Sequence, residues 1–365
     1  MSGSESTSVK INSEGVKSYG ISSRLESPLG KPLVTFAVFA YNQEKYIREA
    51  VEGAFSQTYE PLEIILSDDA SSDRTFAIMK EIAQSYRGPH AVRVRQSKVN
   101  EGLIDHVCSV AEIMQGEILI LAAGDDISEP RRTASIVKNW NGKCAAMFSA
   151  CDLIDEAGTL LQTQWMPKDD ATERFPWVRN ISTHCFVYGS SSAYSNAVLR
   201  ALPRAGTPVL SEDTPLNLII QLSSSQIFRN TDSLVRYRLH SQTISIKSSA
   251  EASFNSVLQH EKRLIKNIKI TRDILLYIRK ILIPSLAAEH QIDLDRLDAD
   301  IWLCEARLDW YVSPLFKRIF KLASIPKSKL RWFLGRIFGA SVYSAIKATS
   351  LRGSQLQRQI KGLKT

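Results

Sequence analysis

Gly116-Glu-Ile-Leu-Ile-Leu-Ala-Ala-Gly-Asp-Asp-Ile-Ser-Glu-Pro130 is an apolar run that stops at Gly124 and two adjacent carboxylates, Asp125 and Asp126. A short apolar run bounded by glycines reads as a strand buried on both faces, as in a parallel sheet. The loop after such a strand lies at its carboxyl end, and in open α/β sheets ligands bind in the crevice outside those ends. Adjacent like charges repel, so the pair is tolerated where both carboxylates face water or where a cation lies between them and a ligand. The same residues also fit a polar strand-to-helix turn, with Ser128 or an Asp capping a helix that starts near Pro130.

Upstream, the pattern repeats. Val34–Ala40 reads as a strand ending at Tyr41-Asn42, and Leu62–Ser67 as a second ending at Asp68-Asp69. Val92–Gln96 is a third, followed by Asn100-Glu-Gly102. Helical spacing separates them: Tyr46, Ile47, Ala50, Val51, Ala54 and Phe55 share one face within Glu44–Gln57, and further helices are expected over Thr75–Tyr86 and His106–Met114. Strands alternating with helices predict an α/β fold with a doubly wound parallel sheet. The loops at Tyr41-Asn42, Asp68-Asp69, Asn100 and Asp125-Asp126 must then converge along one sheet edge. Neither GxGxxG nor GxxxxGK[ST] follows the first strand, so no backbone cradle for a diphosphate is expected there. Acidic loops at that edge imply Mg²⁺ or Mn²⁺ bridging carboxylate to phosphate, which suits a nucleoside diphosphate better than a dinucleotide. Asp69-Ala-Ser-Ser-Asp73 opens like a calcium loop, but Arg74 and Lys80 occupy the positions that need Gly and Glu.

A chain of 365 residues has ample length for a large domain plus an appendage. The Ser-rich opening lacks the basic-then-apolar pattern of a secretory signal, and residues 1–30 are expected to be a mobile polar extension. No apolar run reaches membrane-spanning length; the best, Ile274–Ala288, carries Arg279 and Lys280. Five scattered cysteines without CxxC spacing suggest a reducing compartment and no structural zinc. The net charge of +8 is unevenly spread: from Pro314 onward there are twelve Lys or Arg and no acid, so the rest carries about −4.

The run Val34–Thr75 (VTFAVFAYNQEKYIREAVEGAFSQTYEPLEIILSDDASSDRT) resembles the opening of the family 2 glycosyltransferases, which have the GT-A fold. The likeness continues through Asn100-x-Gly102, Gly116-Glu117, Gly124-Asp125-Asp126, Ser211-Glu-Asp213 and Tyr237-Arg-Leu-His-Ser-Gln-Thr-Ile-Ser245, covering about residues 33–246. It implies transfer of a sugar, with inversion, from a nucleotide-diphosphate donor, UDP-sugar favoured, to an acceptor glycan hydroxyl, lipid-linked acceptors included, in surface polysaccharide or glycoconjugate assembly. By resemblance, Ala40, Tyr41, Asn42, Asp68, Asp69, Asn100 and Asp125 belong to the donor nucleotide site, Asp126 and His240 to the metal, and Asp213, with Glu212 as an alternative, to the general base. The chain departs from the commonest pattern at Ala40, Ala123 and His106. An inverting transfer needs a base on the acceptor hydroxyl and a Lewis acid on the departing diphosphate, which these roles supply. Asp213-Thr214-Pro215 also reads as a plain helix start.

The expected organisation is a GT-A domain over 31–248, a helical extension over 249–313 and a basic amphipathic tail over 314–365. Ala145–Cys151 reads as a strand leading to a turn at Asp155–Gly158; Trp165, Trp177 and Tyr188 are candidates for stacking on a sugar or for the core. In the tail, Leu330, Phe333, Leu334, Ile337 and Phe338 share a helical face bordered by Lys327, Lys329, Arg331 and Arg336, a pattern suited to an anionic membrane surface at the inner face of the cell membrane. No base-reading module accompanies this charge, so nucleic acid is not an expected partner. A nucleotidyltransferase, with Lys45 and Arg48 as weak triphosphate contacts, and a non-catalytic nucleotide- or sugar-binding module are the competing readings.

Overall fold

The computed structural model describes residues 9–11, 17–19, 30–141, 144–166, 175–179, 186–209, 211–223, 225–240, 254–286, 292–313 and 325. The basic tail apart from residue 325, and most of the N-terminal extension read from the sequence, lie outside these residues. In chain order the first half comprises β1 (Val9–Ile11), β2 (Lys17–Tyr19), β3 (Val34–Ala40), α1 (Ile47–Phe55), β4 (Leu62–Asp68), α2 (Thr75–Ser85), β5 (Ala91–Gln96), α3 (Leu103–Ile113), β6 (Ile118–Ala123), β7 (Ile127–Ser128) and α4 (Arg132–Asn139). Then follow β8 (Cys144–Ile154), β9 (Leu160–Trp165), β10 (Ser192–Ser195), α5 (Asn196–Arg200), α6 (Asp213–Leu222) and β11 (Gln226–Arg238). The helices after these are α7 (Phe254–Tyr277), α8 (Ile283–Leu286) and α9 (Leu294–Val312).

The strands form one sheet in the order β1-β2-β5-β4-β3-β6-β10-β8-β11-β7, with β9 pairing β8. Its centre, β5-β4-β3-β6, is parallel, as the alternation of strands and helices predicts. β3 and β4 are buried along their whole length. On one face Val34, Phe36, Val38 and Ala40 pack in a core with Ile47, Val51 and Ala54 of α1 and Met79 and Ile82 of α2. On the other, the Phe39 ring meets His106 of α3 edge-on at 5.0 Å. Fully burying each large aliphatic side chain here contributes about 1.5–3 kcal/mol.

Beyond β6 the sheet is mixed. β10 runs antiparallel to both β6 and β8, while β11 runs parallel to β8 and antiparallel to β7. This half is built by long-range pairing, and the buried Arg132 seals it against β6. Arg132 donates to Ser128 Oγ at 2.9 Å and to the carbonyls of Leu121 (2.8 Å), Ser190 (3.2 Å) and Ser192 (3.3 Å), with its guanidinium 5.7 Å from the Phe36 ring centre. Glu63 accepts from the Thr35 hydroxyl and from the N–H groups of Gln115 and Gly116, closing the opposite end of the sheet.

The chain divides into two compact units, residues 1–245 with 277–293 and residues 246–276 with 294–365. Within the second, Ile268, Cys304 and Tyr311 form a small core with Leu264, Ile265, Leu275 and Leu308. Among the described residues no helix is long and apolar enough to cross a membrane.

Gly102 precedes α3 with φ +77°, and a Cβ there would come within 2.5 Å of Pro208 Cα. Left-handed strain and overpacking add, so Gly102→Ala should destabilise the domain by about 2–4 kcal/mol. The urea midpoint should fall at unchanged slope; a midpoint equal to wild type would contradict this packing.

Candidate functional site

The loops after β3, β4, β5 and β6 meet along one edge. Asp69 N–H donates to the Ala40 carbonyl at 2.9 Å, Gly124 N–H to Phe39 at 2.9 Å and Ser97 N–H to Asp68 at 2.8 Å. Asn42 and Ala70 both adopt left-handed backbone, φ 53° and 58°. Asn42 is held there by bonds from its own N–H to Ser71 Oγ (2.8 Å) and from Ser72 N–H to its Oδ1 (2.9 Å).

The residues expected to bind the nucleotide divide by exposure. Tyr41 is 48% exposed, and Asn42 and Asn100 are half-buried. Ala40 is buried, as is Asp68, whose Oδ2 accepts from Ser71 N–H and Gln96 Nε2. Asp69 accepts from the Glu101 (2.9 Å) and Gly102 (3.1 Å) N–H groups. Burial pushes its carboxyl up while those two bonds draw it down. Beneath them Ser67 Oγ takes a bond from Arg95 and lies 2.6 Å from His106 Nε2. Burial, with the Arg95 charge, lowers the imidazole to about 3, so His106 is a neutral part of the floor.

The two adjacent aspartates point in opposite senses. Asp126 is buried; its Oδ1 accepts from the Arg238 N–H at 2.9 Å, and its Oδ2 is buried without a hydrogen-bond partner. Its electrostatic neighbours Arg132 and Cys151 are interior groups, and burial together with the Asp125 charge raises its carboxyl well above the ordinary value. Asp125 is half-buried and its Oδ2 lies 2.9 Å from His240 Nε2. The sequence reading set Asp126 beside His240; in the structure Asp125 occupies that place, because β11 engages Asp126 from the inside. The His240 ring also packs 5.0 Å from Tyr46, a residue that the helical pattern put on the apolar face of a helix and that in fact precedes α1. Burial and the bond from its hydroxyl to Glu156 raise Tyr46 to about 12.

Glu212 and Asp213 are divided in the same way. Asp213 opens α6 half-buried, its Oδ1 accepting from the Thr214 N–H at 2.7 Å and from the Ser211 hydroxyl. Glu212 is buried against Gly189, where an added Cβ would lie 2.1 Å from its Oε1. Burial, with the neighbouring Asp213 charge, raises Glu212 to about 8. Of the aromatic candidates, Trp177 is 2% exposed and belongs to the core with Phe175. Trp165 is half-buried, with Tyr188 and Tyr237 each 6.4 Å from its ring centre.

Residues 35–199 match the family model of glycosyl transferase family 2. The chain is similar to an uncharacterized glycosyltransferase of Haemophilus influenzae, 27% identical over 260 residues that cover 68% of this chain and 76% of that protein. A Mycobacterium bovis protein is 30% identical over 184 residues, 49% of each chain, so this chain spans about half the length of that relative. Among solved structures, the mannosyltransferase PcManGT from Pyrobaculum calidifontis, in complex with GDP-Man and Mn²⁺, is similar at 15% identity and TM-score 0.48, over 88% of each chain.

The Glu212 carboxyl sets a pH test. Between its ordinary value of 4.5 and about 8 the unfolded chain releases a proton that the folded chain keeps, so stability falls as pH rises through this window. The slope contributed is up to about 1.4 kcal/mol per pH unit. Glu212→Gln, neutral throughout, should flatten melting temperature against pH from 5 to 8; a slope unchanged from wild type would show that Glu212 is ionised in the folded state.

Proposed function

We propose, on the premise that this chain is a glycosyltransferase belonging through residues 35–199 to glycosyl transferase family 2, that it moves a sugar from a nucleoside-diphosphate sugar to an acceptor hydroxyl with inversion, using Asp125 and His240 to hold a divalent cation and Asp213 as general base. The observation that carries the metal assignment is the 2.9 Å approach of Asp125 Oδ2 to His240 Nε2 at the carboxyl edge of the parallel strands. A carboxylate and an imidazole nitrogen form a fitting donor pair for Mn²⁺, with the remaining positions left to diphosphate oxygens and water. Among the described residues no group of three or more His, Cys, Asp and Glu could hold an ion by itself, which fits a cation shared with the donor. When bound, such a cation supplies Lewis acidity to the departing diphosphate.

The chain's own residues do the rest. Tyr41, Asn42, Asp69 and Asn100 form the proposed nucleoside contact at the converging loops. Asp213, half-buried where α6 begins, is the carboxylate we assign to take the acceptor proton. Glu212 is too deeply buried to reach an acceptor. Asp126 anchors β11 from within the fold. The acceptor we favour is a glycan hydroxyl of a surface polysaccharide or glycoconjugate.

The melting temperature should rise with one of UDP, GDP, dTDP or CMP in a Mn²⁺-dependent manner, since a ligand that binds only the folded state stabilises it. Asp125→Asn and His240→Ala should abolish that rise. Asp126→Asn should retain it from a changed baseline stability, and Asp213→Asn should retain it while slowing turnover about 10²-fold or more. A Mn²⁺-dependent rise that survives in Asp125→Asn and vanishes in Asp126→Asn would return the metal to Asp126.

A further inference from the structure

The Arg238 guanidinium ends β11 with a side chain only 1% exposed. It donates from Nε to the Asp125 carbonyl at 3.0 Å, from Nη1 to the carbonyls of Glu156 (3.0 Å) and Asp155 (3.4 Å), and from Nη2 to Glu49 Oε2 at 3.0 Å. Its plane carbon lies 5.0 Å from the centre of the Tyr46 ring, the ring that packs on His240. Its backbone N–H is the donor that holds Asp126. One residue thus touches the loop carrying Asp125, the turn between β8 and β9, helix α1, and the ring behind His240, which follows it by two positions in the chain.

We propose that Arg238 is a positioning residue that fixes the separation of Asp125 and His240 and so sets the cation affinity of the site; this rests on the reading of those two residues as the metal pair. Taking a guanidinium out of water is costly, and Glu49, 48% exposed, offsets that cost in part. Three carbonyls complete its partners in a planar, forked arrangement that only arginine can satisfy together. Lysine at this position has one compact ammonium group, which cannot reach the Asp125 carbonyl, the turn carbonyls and Glu49 at once. The Asp125 loop and the end of β11 would then lose these side-chain ties and keep the backbone bond to Asp126 and the β7–β11 pairing further along. Residues that orient metal ligands from behind typically change affinity 10–100-fold when replaced.

The test is direct Mn²⁺ binding, followed by electron paramagnetic resonance in the presence of UDP and, separately, GDP, on the full chain. Arg238→Lys and Arg238→Met should weaken Mn²⁺ binding about tenfold or more, with lysine the milder. Met79→Ala, which removes a fully buried side chain from α2 beneath the sheet, lowers stability without touching these contacts and should bind Mn²⁺ as wild type does. Should Arg238→Met fail to fold, Arg238→Lys and Glu49→Gln, which leaves a neutral acceptor for Nη2, still decide the matter. Wild-type affinity in the Arg238 variants alongside lost binding in Asp125→Asn overturns the positioning role alone. Wild-type affinity in Asp125→Asn, or no Mn²⁺ binding by the native chain, removes the metal pair itself and this inference with it. Equal weakening in Met79→Ala and the Arg238 variants would reduce Arg238 to a contributor to general stability.

Discussion

Two carboxylates one residue apart cannot both be buried as charges, nor can both point into one small crevice without repelling each other. In the turn after β6 the conflict is resolved by dividing the pair: Asp125 stays half-buried at the edge of the sheet and Asp126 is buried. The rest of the site depends on this division. The inward carboxylate receives the Arg238 N–H and thereby pins the end of β11 to the loop. That attachment brings His240, two residues further on, to the outward carboxylate. A buried acid therefore helps determine where its exposed neighbour and His240 stand.

The surrounding sheet supplies rigidity in proportion to how thoroughly it is buried. Covered on both faces, β3 and β4 leave their backbone polar groups no solvent to fall back on, so the ladder from β5 to β6 is complete and its carboxyl ends are held in fixed register. The loops leaving those ends are then cross-bonded to one another through Asn42, Ser71, Asp69 and Gly102. Left-handed backbone at Asn42 and Ala70 costs about 1–2 kcal/mol per residue, and it persists because these cross-bonds over-determine the loop. Strain of this kind gathers where geometry has to be exact for a ligand rather than for the core.

The parallel half was legible in the sequence because each βα unit is local: an apolar run, a polar loop and an amphipathic helix follow one another within a short stretch. Even there the ends of elements moved, with α1 starting at Ile47 rather than Glu44 and α3 at Leu103 rather than His106. The mixed half was not legible. The order β6-β10-β8-β11 is decided by pairings between distant segments, and nothing in the periodicity of Ser192–Ser195 announces that it will lie between β6 and β8. The same limit explains why the sequence did not show which of the two adjacent carboxylates approaches His240. Which of Asp125 and Asp126 faces inward is decided by Arg238, over a hundred positions away in the chain, and no local pattern encodes that bond. Tyr46 was similarly hidden, since a ring at helical spacing reads as core until a distant histidine is found against it. Arg238 itself lay in the Tyr237–Ser245 motif, but β11 is mostly exposed or half-buried and carries other charges, so no local signal set it apart.

Glu212 and Asp213 repeat the solution found at Asp125 and Asp126. In both pairs one carboxylate is sunk and driven toward its neutral form by burial and by its neighbour's charge, while the other is left half-open at a loop edge. A neutral, buried partner lessens the repulsion that the outer carboxylate would otherwise feel. The inner partner also fixes the backbone from which the outer side chain projects, through β11 in one case and through the close contact with Gly189 in the other. On the proposed assignment, a doubled acid at such an edge is one working group and its support rather than two interchangeable ligands, with burial setting the two apart.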